Sequence, residues 1–141
     1  MFFQPIILQF SFKMKDIYIF TYGTLKRGFK NHYLLLDDAT FVSNAITCEK
    51  YQMYPSIGNA YPFLIKSEKK YQIKGEVFKT NSQKILDSLD ELEEYPDLYL
   101  KEFIKVELEN KKIIEALVYF KNEKNNLYAV DYSKPIIEWK N

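Results

Sequence analysis

A single stretch of this chain has the period of an amphipathic helix, and the other apolar runs have strand character. Residues 85–96, ILDSLDELEEYP, place apolar side chains at i, i+1, i+4 and i+7. Runs such as DIYIFTYG at 16–23 and FIKVELEN at 103–110 are β-branched and aromatic, or alternate apolar with charged residues. We therefore predict an α+β domain, with several short strands in a closed or strongly curved sheet and one helix against it.

Glycine and proline residues divide the rest of the chain into short elements. The pattern predicts a turn or short helix at 32–36, and strands within 39–54 and at 63–66, 71–80 and 113–120. Gly75 lies inside one of these strands, which indicates a bulge or a close approach of another backbone. Thr80 and Gln83 form a capping-box pattern at the start of the helix, and Tyr95-Pro96 is expected to end it.

The length of 141 residues is typical of one domain. We interpret residues 14–141 as that domain and residues 1–13 as an N-terminal extension, with Met14 as an alternative start. The extension lacks a basic n-region and a small-residue cleavage site, and it is too short to span a bilayer. A cytoplasmic location is therefore expected.

Charge and composition argue against several classes of function. The 20 basic and 19 acidic side chains leave a net charge of +1, which gives no electrostatic basis for binding nucleic acid or a membrane surface. Cys48 and His32 are the sole cysteine and the sole histidine. They cannot supply a multi-histidine or thiol metal site, and we expect structural roles for both rather than nucleophilic catalysis. No metal and no cofactor are predicted.

Glu93 is the one acid of the helical stretch that falls among the apolar residues. At about 100° per residue, Leu89 lies at the centre of the apolar stripe and Glu93 lies about 40° from Leu89, inside the stripe. The other four acids lie outside the stripe. Burial raises a carboxyl pKa above its usual value of about 4.3. Glu93 is therefore either a candidate acid/base or a residue at the helix end whose side chain reaches water.

The sequence YGTLKRG, residues 22–28, directly follows a predicted buried strand. A glycine at such a point lets the backbone turn sharply, so that consecutive N–H groups face one cavity and bind an anion or a developing oxyanion. Many strand-to-loop turns carry Gly-Thr without such a function, so the pattern alone leaves both interpretations open.

Four segments, in order and spacing, resemble the gamma-glutamylcyclotransferase-like family, with the greatest similarity to its gamma-glutamylamine cyclotransferase branch. They are YIFTYGTLKRGFKNHYLL, AYPFLI, KGEVF and LDSLDELEEYPDLYLK, and the resemblance as a whole covers roughly residues 16–121. The resemblance implies a small mixed-strand β-barrel with flanking helices. It also implies a cavity beside the Tyr-Gly-Thr-Leu turn, a catalytic acid/base at Glu93, and substrate-binding residues Tyr22, Gly23, Thr24, Leu25 and Tyr99.

The reaction implied by the resemblance is an intramolecular aminolysis. The free α-amine of a γ-glutamyl group attacks its own γ-carbonyl and forms 5-oxoproline, while an amine or amino acid leaves. The substrate supplies the nucleophile, which agrees with a sequence lacking a Cys–His or Ser–His pair. The implied partner is a small γ-glutamyl compound, with no cofactor, and the protein is expected to be a monomer or a weak homodimer. Asn31, Tyr61 and Gly75 match family positions for which we expect mainly structural roles.

Two positions depart from the family pattern. Glu94 stands where many members carry glycine, and Lys101 stands where an arginine is common. An ammonium group does not replace a planar guanidinium where two contacts are needed. We therefore expect both positions to affect substrate choice more than the reaction.

Two other functions stay open from the sequence. The same cavity could bind a small metabolite without catalysis, or the chain, at 17% aromatic residues, could be a structural or assembly protein. The presence of Glu93 favours the enzyme over the binding module, because a non-catalytic relative would be expected to lose this residue.

Overall fold

The computed structural model of the protein describes residues 13–126 and 129–140. The strands in these ranges are β1 (Lys13–Thr21), β2 (Ala39–Thr47), β3 (Gln52–Pro55), β4 (Pro62–Ile65), β5 (Lys74–Ser82), β6 (Tyr99–Leu108) and β7 (Ile113–Lys121). The helix α1 is Gln83–Leu92, and a short 3-10 helix spans His32–Leu35. The predicted extension at 1–13 lies outside the described residues except for Lys13, which begins β1.

Five of the strands form a closed barrel in the order β1-β5-β2-β6-β7. Its pairs are antiparallel except for β1 and β7, which close the barrel through a parallel contact between Ile19 and Leu117. β3 and β4 form a separate antiparallel pair. The described part of the chain is thus mostly sheet with one α-helix. None of its helices is long and apolar enough to cross a membrane.

β1 and β5 approach each other closely at Gly75. A Cβ atom at this position would overlap the Thr21 carbonyl oxygen and would lie 2.6 Å from the ring of Phe20. Only glycine leaves room for these neighbours, so the predicted close backbone approach is confirmed. This contact fixes the last residues of β1, at the point where the chain leaves the barrel and turns.

The start of α1 differs from the sequence prediction. Ser82 is the N-cap residue, and its hydroxyl accepts a hydrogen bond from the Ile85 N–H group at 3.3 Å. The Thr80 hydroxyl instead donates to the Asp38 carbonyl at 2.7 Å. The predicted capping box of Thr80 and Gln83 is therefore wrong, because a contact from a distant part of the chain engages the threonine.

The end of α1 also differs from the prediction, since the helix stops at Leu92 rather than near Tyr95-Pro96. Glu93 is the C-cap residue, and Glu94 adopts a φ of +49°. This left-handed conformation ends many helices and is adopted most readily by glycine. Glu94 thus keeps a glycine-like backbone at the position where the related family often has glycine.

The C-terminal segment, residues 129–140, packs across the β3–β4 pair and the barrel. Ile136 forms a bridge with Met53, and Val130 forms one with Ser56. Trp139 is buried in the core, and its carbonyl accepts a 2.6 Å hydrogen bond from the Lys26 ammonium group. The loop after β1 is therefore fastened to this segment.

Candidate active site

A cavity of about 390 Å³ opens between the end of β1, the C-terminal end of α1 and the start of β4. The structure places along it all six residues that the sequence analysis assigned to a site: Tyr22, Gly23, Thr24, Leu25, Glu93 and Tyr99. Tyr61, Pro62, Glu94 and Tyr119 also line it. Tyr22 and Tyr119, which are 97 positions apart in sequence, thus line one cavity.

The carboxyl group of Glu93 lies in this cavity without a partner. Glu93 follows the buried Leu89 by four residues and so lies on the same face of the helix. Among the described residues, no group donates a hydrogen bond to its carboxylate or forms an ion pair with it. Burial raises the pKa of Glu93 from 4.5 to about 8. The residue keeps partial exposure because it borders open space rather than packed protein.

Two tyrosines beside Glu93 have their phenol protons committed elsewhere. The Tyr22 hydroxyl donates to the Tyr119 carbonyl at 2.5 Å, and the Tyr99 hydroxyl donates to the Pro62 carbonyl at 2.8 Å. Burial, and to a smaller degree the charge of Glu93, raises the pKa of both phenols well above the ordinary value. Both phenols therefore stay protonated and present their rings to the cavity.

Three hydrogen bonds hold the carbonyl groups of the turn at 23–25. The Gly23 carbonyl accepts from the Lys26 N–H group at 3.2 Å, and the Thr24 carbonyl accepts from the Asn31 N–H group at 2.9 Å. The Leu25 carbonyl lies 2.9 Å from Nδ1 of His32, which must carry the proton because a carbonyl only accepts. The sole histidine thus has a structural contact with the turn.

The N–H groups of Gly23, Thr24 and Leu25 have no acceptor in the part of the chain that the structure describes. Gly23 and Leu25 are nevertheless buried, and a buried N–H group without a partner is costly. A bound oxygen atom in the cavity would relieve this cost. Consecutive unpaired amides of this kind can bind an anion or stabilise an oxyanion that forms during a reaction.

A close contact with Pro62 explains why residue 23 is glycine. A Cβ atom at Gly23 would lie 2.7 Å from Cγ of Pro62, too close for any other residue without movement. Pro62 is held in turn by the hydrogen bond from Tyr99. The turn and the mouth of the cavity are therefore packed directly against each other.

Asp90, one helical turn before Glu93, accepts hydrogen bonds on both of its carboxylate oxygens. Its two oxygens each lie 2.8 Å from the Lys101 ammonium group, and Oδ1 also accepts a 2.6 Å hydrogen bond from the Tyr119 hydroxyl. The same ammonium group stands 4.4 Å from the ring centre of Tyr95. These contacts attach the end of α1 to β6 and β7.

Lys101 does not line the cavity. Its ammonium group binds Asp90 at the end of α1 instead, so the expected effect on substrate choice has no direct contact behind it and stays a prediction. Glu94 does line the cavity, as that expectation requires. The sequence analysis missed Tyr119 and the cavity-lining Lys30. Tyr119 has no local signal, since it is one apolar residue in a strand whose partners lie on other elements.

A family model described as gamma-glutamyl cyclotransferase, AIG2-like, matches residues 19–140. The chain belongs to this family, which confirms the resemblance found in the sequence.

Relatives and solved structures agree with this membership. A putative gamma-glutamylcyclotransferase of Methanocaldococcus jannaschii is 39% identical over 103 residues, covering 73% of this chain and 82% of that protein. Gamma-glutamylaminecyclotransferase A of Danio rerio is 36% identical over 110 residues, covering 73% of this chain and 68% of the relative. The crystal structure of an AIG2-like protein from Mus musculus superposes with a TM-score of 0.70 at 27% identity, covering 77% of this chain and 79% of that one.

Proposed function

We propose that the protein is a gamma-glutamylcyclotransferase that releases 5-oxoproline from a γ-glutamyl amine or γ-glutamyl amino acid. One observation carries this proposal. A half-buried carboxyl group without a partner among the described residues, that of Glu93, lines the same cavity as residues 23–25, whose main-chain N–H groups are unpaired. Family membership and the names of the relatives support the same reaction.

Glu93 has the properties of the group that moves the proton. In the reaction a bond forms between the α-nitrogen and the γ-carbon, and the bond from that carbon to the leaving nitrogen breaks. The α-ammonium nitrogen loses two protons on its way to the lactam N–H, and the leaving nitrogen gains two as it departs as an ammonium group. Glu93 accepts each proton from the first nitrogen and donates it to the second, so no net proton is consumed. With a pKa of about 8, its basicity is close to that of an α-amine, which titrates near 8 at protein termini.

The turn at 23–25 has the properties of the group that stabilises the tetrahedral intermediate. As the amine attacks, the γ-carbonyl oxygen gains negative charge and becomes a stronger acceptor. Main-chain N–H groups held by a rigid turn would need little reorganisation to bind that oxygen, and such donors contribute about 3 kcal/mol each where they have been removed in other enzymes. The remaining requirement is a substrate folded so that the amine reaches the γ-carbonyl, and the walls of the cavity are the surfaces that would hold it so.

Lys30 supplies a charge that suits the substrate. Every γ-glutamyl compound with a free α-amine and a free α-carboxyl carries one carboxylate at the reacting end. Among the lining residues that the structure describes, Lys30 is the only cation. We expect it to attract this carboxylate, so that Lys30→Gln raises KM several-fold with little change in kcat.

A panel of γ-glutamyl compounds tests the proposal. Purified protein is incubated with γ-glutamyl amino acids, γ-glutamyl-ε-lysine, a γ-glutamylated polyamine and glutathione, and 5-oxoproline is measured. Release from at least one compound, abolished in Glu93→Gln, is the expected result. The matched control is Glu91→Gln, which removes an exposed acid two residues earlier and should keep full activity.

The two competing functions predict different outcomes. A non-catalytic binding module would bind these compounds, seen as a thermal shift, without releasing 5-oxoproline from any of them. A structural protein would show no thermal shift and a concentration-dependent oligomer. Full activity in Glu93→Gln would refute the assigned acid/base even if the reaction itself were found.

A further inference from the structure

Tyr119 makes hydrogen bonds to two sides of the cavity, to α1 through its hydroxyl and to Tyr22 through its main-chain carbonyl. Its hydroxyl donates to Asp90 at 2.6 Å, in the last turn of the helix that leads to Glu93. Its main-chain carbonyl accepts the hydroxyl of Tyr22 at 2.5 Å, at the start of the turn that carries the unpaired N–H groups. One residue of β7 therefore joins the elements that carry the acid and the donors.

The Tyr119 hydroxyl binds the helix through the Asp90 carboxyl group, which a second residue also holds in place. Asp90 is also held by Lys101, whose ammonium group lies 2.8 Å from both of its oxygens. The Asp90–Lys101 pair is about one quarter exposed on each side, so its Coulomb energy alone is modest. The hydroxyl of Tyr119 adds a hydrogen bond to the Asp90 carboxyl group at 2.6 Å, a distance typical of the strong bonds that hydroxyl groups donate to carboxylates.

The contact to the turn is equally direct. Tyr22 is 7% exposed and its phenol stays protonated, so the Tyr119 carbonyl has a permanent donor. The backbone of Tyr119 is itself fixed in the barrel, where it pairs with Lys101 of β6. Both connections thus start from a rigid strand, and such support is what a catalytic site needs to hold its groups within about 0.5 Å.

We propose that Tyr119 is a positioning residue that sets the spacing between Glu93 and the donors at 23–25. This inference rests on the proposed function, because the spacing matters for catalysis only if these groups act together. Tyr119 does not take part in the chemistry. Its hydroxyl holds the end of α1, so that the carboxyl of Glu93 stays in the cavity and at a constant distance from the turn.

Removing the hydroxyl alone tests this role. In Tyr119→Phe the ring still fills its place, but the helix end loses its link to β7. We expect kcat to fall about ten- to a hundredfold, in the range that small misplacements of catalytic groups cause, while KM changes less than threefold. A residue with only a structural role would lower the melting temperature and leave kcat unchanged.

Tyr51→Phe is the matched control. The Tyr51 hydroxyl donates to a carboxylate oxygen of Glu49 at 3.1 Å, the same kind of bond, in a buried tyrosine that does not line the cavity. We expect its kcat and KM to match those of the unmodified protein. A second comparison is Lys101→Arg, which preserves the charge opposite Asp90 and should keep most of the activity.

A double-variant cycle separates the two connections of Tyr119. Tyr22→Phe removes the bond to its carbonyl, and Tyr119→Phe removes the bond from its hydroxyl. If both act on one spacing, the loss of kcat in the double variant is smaller than the product of the single losses. Independent, multiplicative losses would overturn the proposal that Tyr119 links the two walls.

A measurement without substrate keeps this inference separate from the proposed function. The chemical shift of the Glu93 carboxyl carbon is followed against pH by NMR in the unmodified protein and in the Tyr119→Phe and Tyr51→Phe variants. We expect the pKa of Glu93 to fall toward 4.5 in Tyr119→Phe alone, because a loosened helix end lets water reach the carboxyl. An unchanged titration in a folded Tyr119→Phe protein overturns the inference. Absence of 5-oxoproline release from every compound by the unmodified protein overturns the proposed function instead.

Discussion

Asp90 and Glu93 lie one helical turn apart, and their surroundings differ in every respect that matters to a carboxylate. Asp90 receives three hydrogen bonds, two from Lys101 and one from Tyr119. Glu93 receives none from the described residues, and burial raises its pKa to about 8. The same chemical group is thus bound by several donors at one position, whereas desolvation favours its neutral form three residues later.

This difference shows how one short segment can contain an acid that anchors the helix, Asp90, and an acid suited to the proton transfer that we propose, Glu93. A carboxylate with several donors is a good anchor, but it is a poor base because those donors stabilise its charge. A half-buried carboxyl group without donors is costly to ionise and therefore accepts a proton readily. The assignment of roles follows from the neighbours on β6 and β7 and not from the residue type.

The largest effect is expected from replacing each acid by its amide. Glu93→Gln should lower kcat about a thousandfold, since proton transfer by a positioned group contributes about 10² to 10⁴. Asp90→Asn should lower kcat only about tenfold, because the amide oxygen still accepts from Tyr119. Steady-state rates of 5-oxoproline release measure both. Equal losses in the two variants would remove the distinction between anchor and base.

The next effect concerns stability against pH. The folded-state pKa of Glu93 is raised above the unfolded value of about 4.5, so its contribution is fully present below pH 4.5 and is lost as the pH rises to about 8. Stability should therefore fall across this window by ~1.4 kcal/mol per pH unit, a few kcal/mol in total. Urea unfolding from pH 5 to 9 measures it, and Glu93→Gln should show a flatter profile. Parallel profiles for the two proteins would mean that Glu93 is hydrated.

A smaller effect is expected on the anchoring side. Asp90→Ala removes the acceptor of Tyr119 and Lys101, and should lower the free energy of unfolding by about 1–3 kcal/mol at neutral pH. Asp87→Ala is the control, because Asp87 is exposed on the same helix and should change stability by less than about 0.5 kcal/mol. Chemical denaturation compares the two. A change as small as that of the control would show that the contacts of Asp90 contribute little.

The smallest effect involves Glu94, the last of the five acids in residues 85–96. Its φ of +49° suits glycine, so Glu94→Gly should raise the free energy of unfolding by up to about 1 kcal/mol relative to Glu94→Ala. Both variants remove the same side chain, so their difference isolates the backbone. If Ala were as stable as Gly, the left-handed conformation would carry no strain.

The sequence predicts the inward direction of Glu93 but not what surrounds it. The helical period is a local property, and it was enough to single out Glu93 among five acids. The partners of Asp90 come from β6 and β7, and strand pairing over such distances leaves no trace in a short window. Lys101 shows this clearly, because its place in the family pattern suggested an effect on substrate choice, whereas its ammonium group binds Asp90 of the helix.

The ends of α1 failed to follow the sequence for the same reason. The Thr80 hydroxyl is engaged by the Asp38 carbonyl, a contact across 42 residues that leaves Ser82 as the cap. At the other end, Pro96 only limits how far the helix can extend. The helix ends earlier, at Leu92, because Glu94 adopts a left-handed backbone conformation although it is not a glycine. The turn at 22–25 was recognisable because glycine after a buried strand is itself a backbone signal.

The unpaired donors of the turn belong to peptide bonds, and this decides how the wall can be altered. Ordinary mutagenesis replaces the side chain of Thr24 or Leu25 and leaves the main-chain N–H group in place. Only an amide-to-ester replacement, introduced by chemical synthesis or by an α-hydroxy acid, would delete one donor at a time. Natural variation at these two positions is therefore free to reshape the hollow for different leaving groups while the same main-chain wall persists.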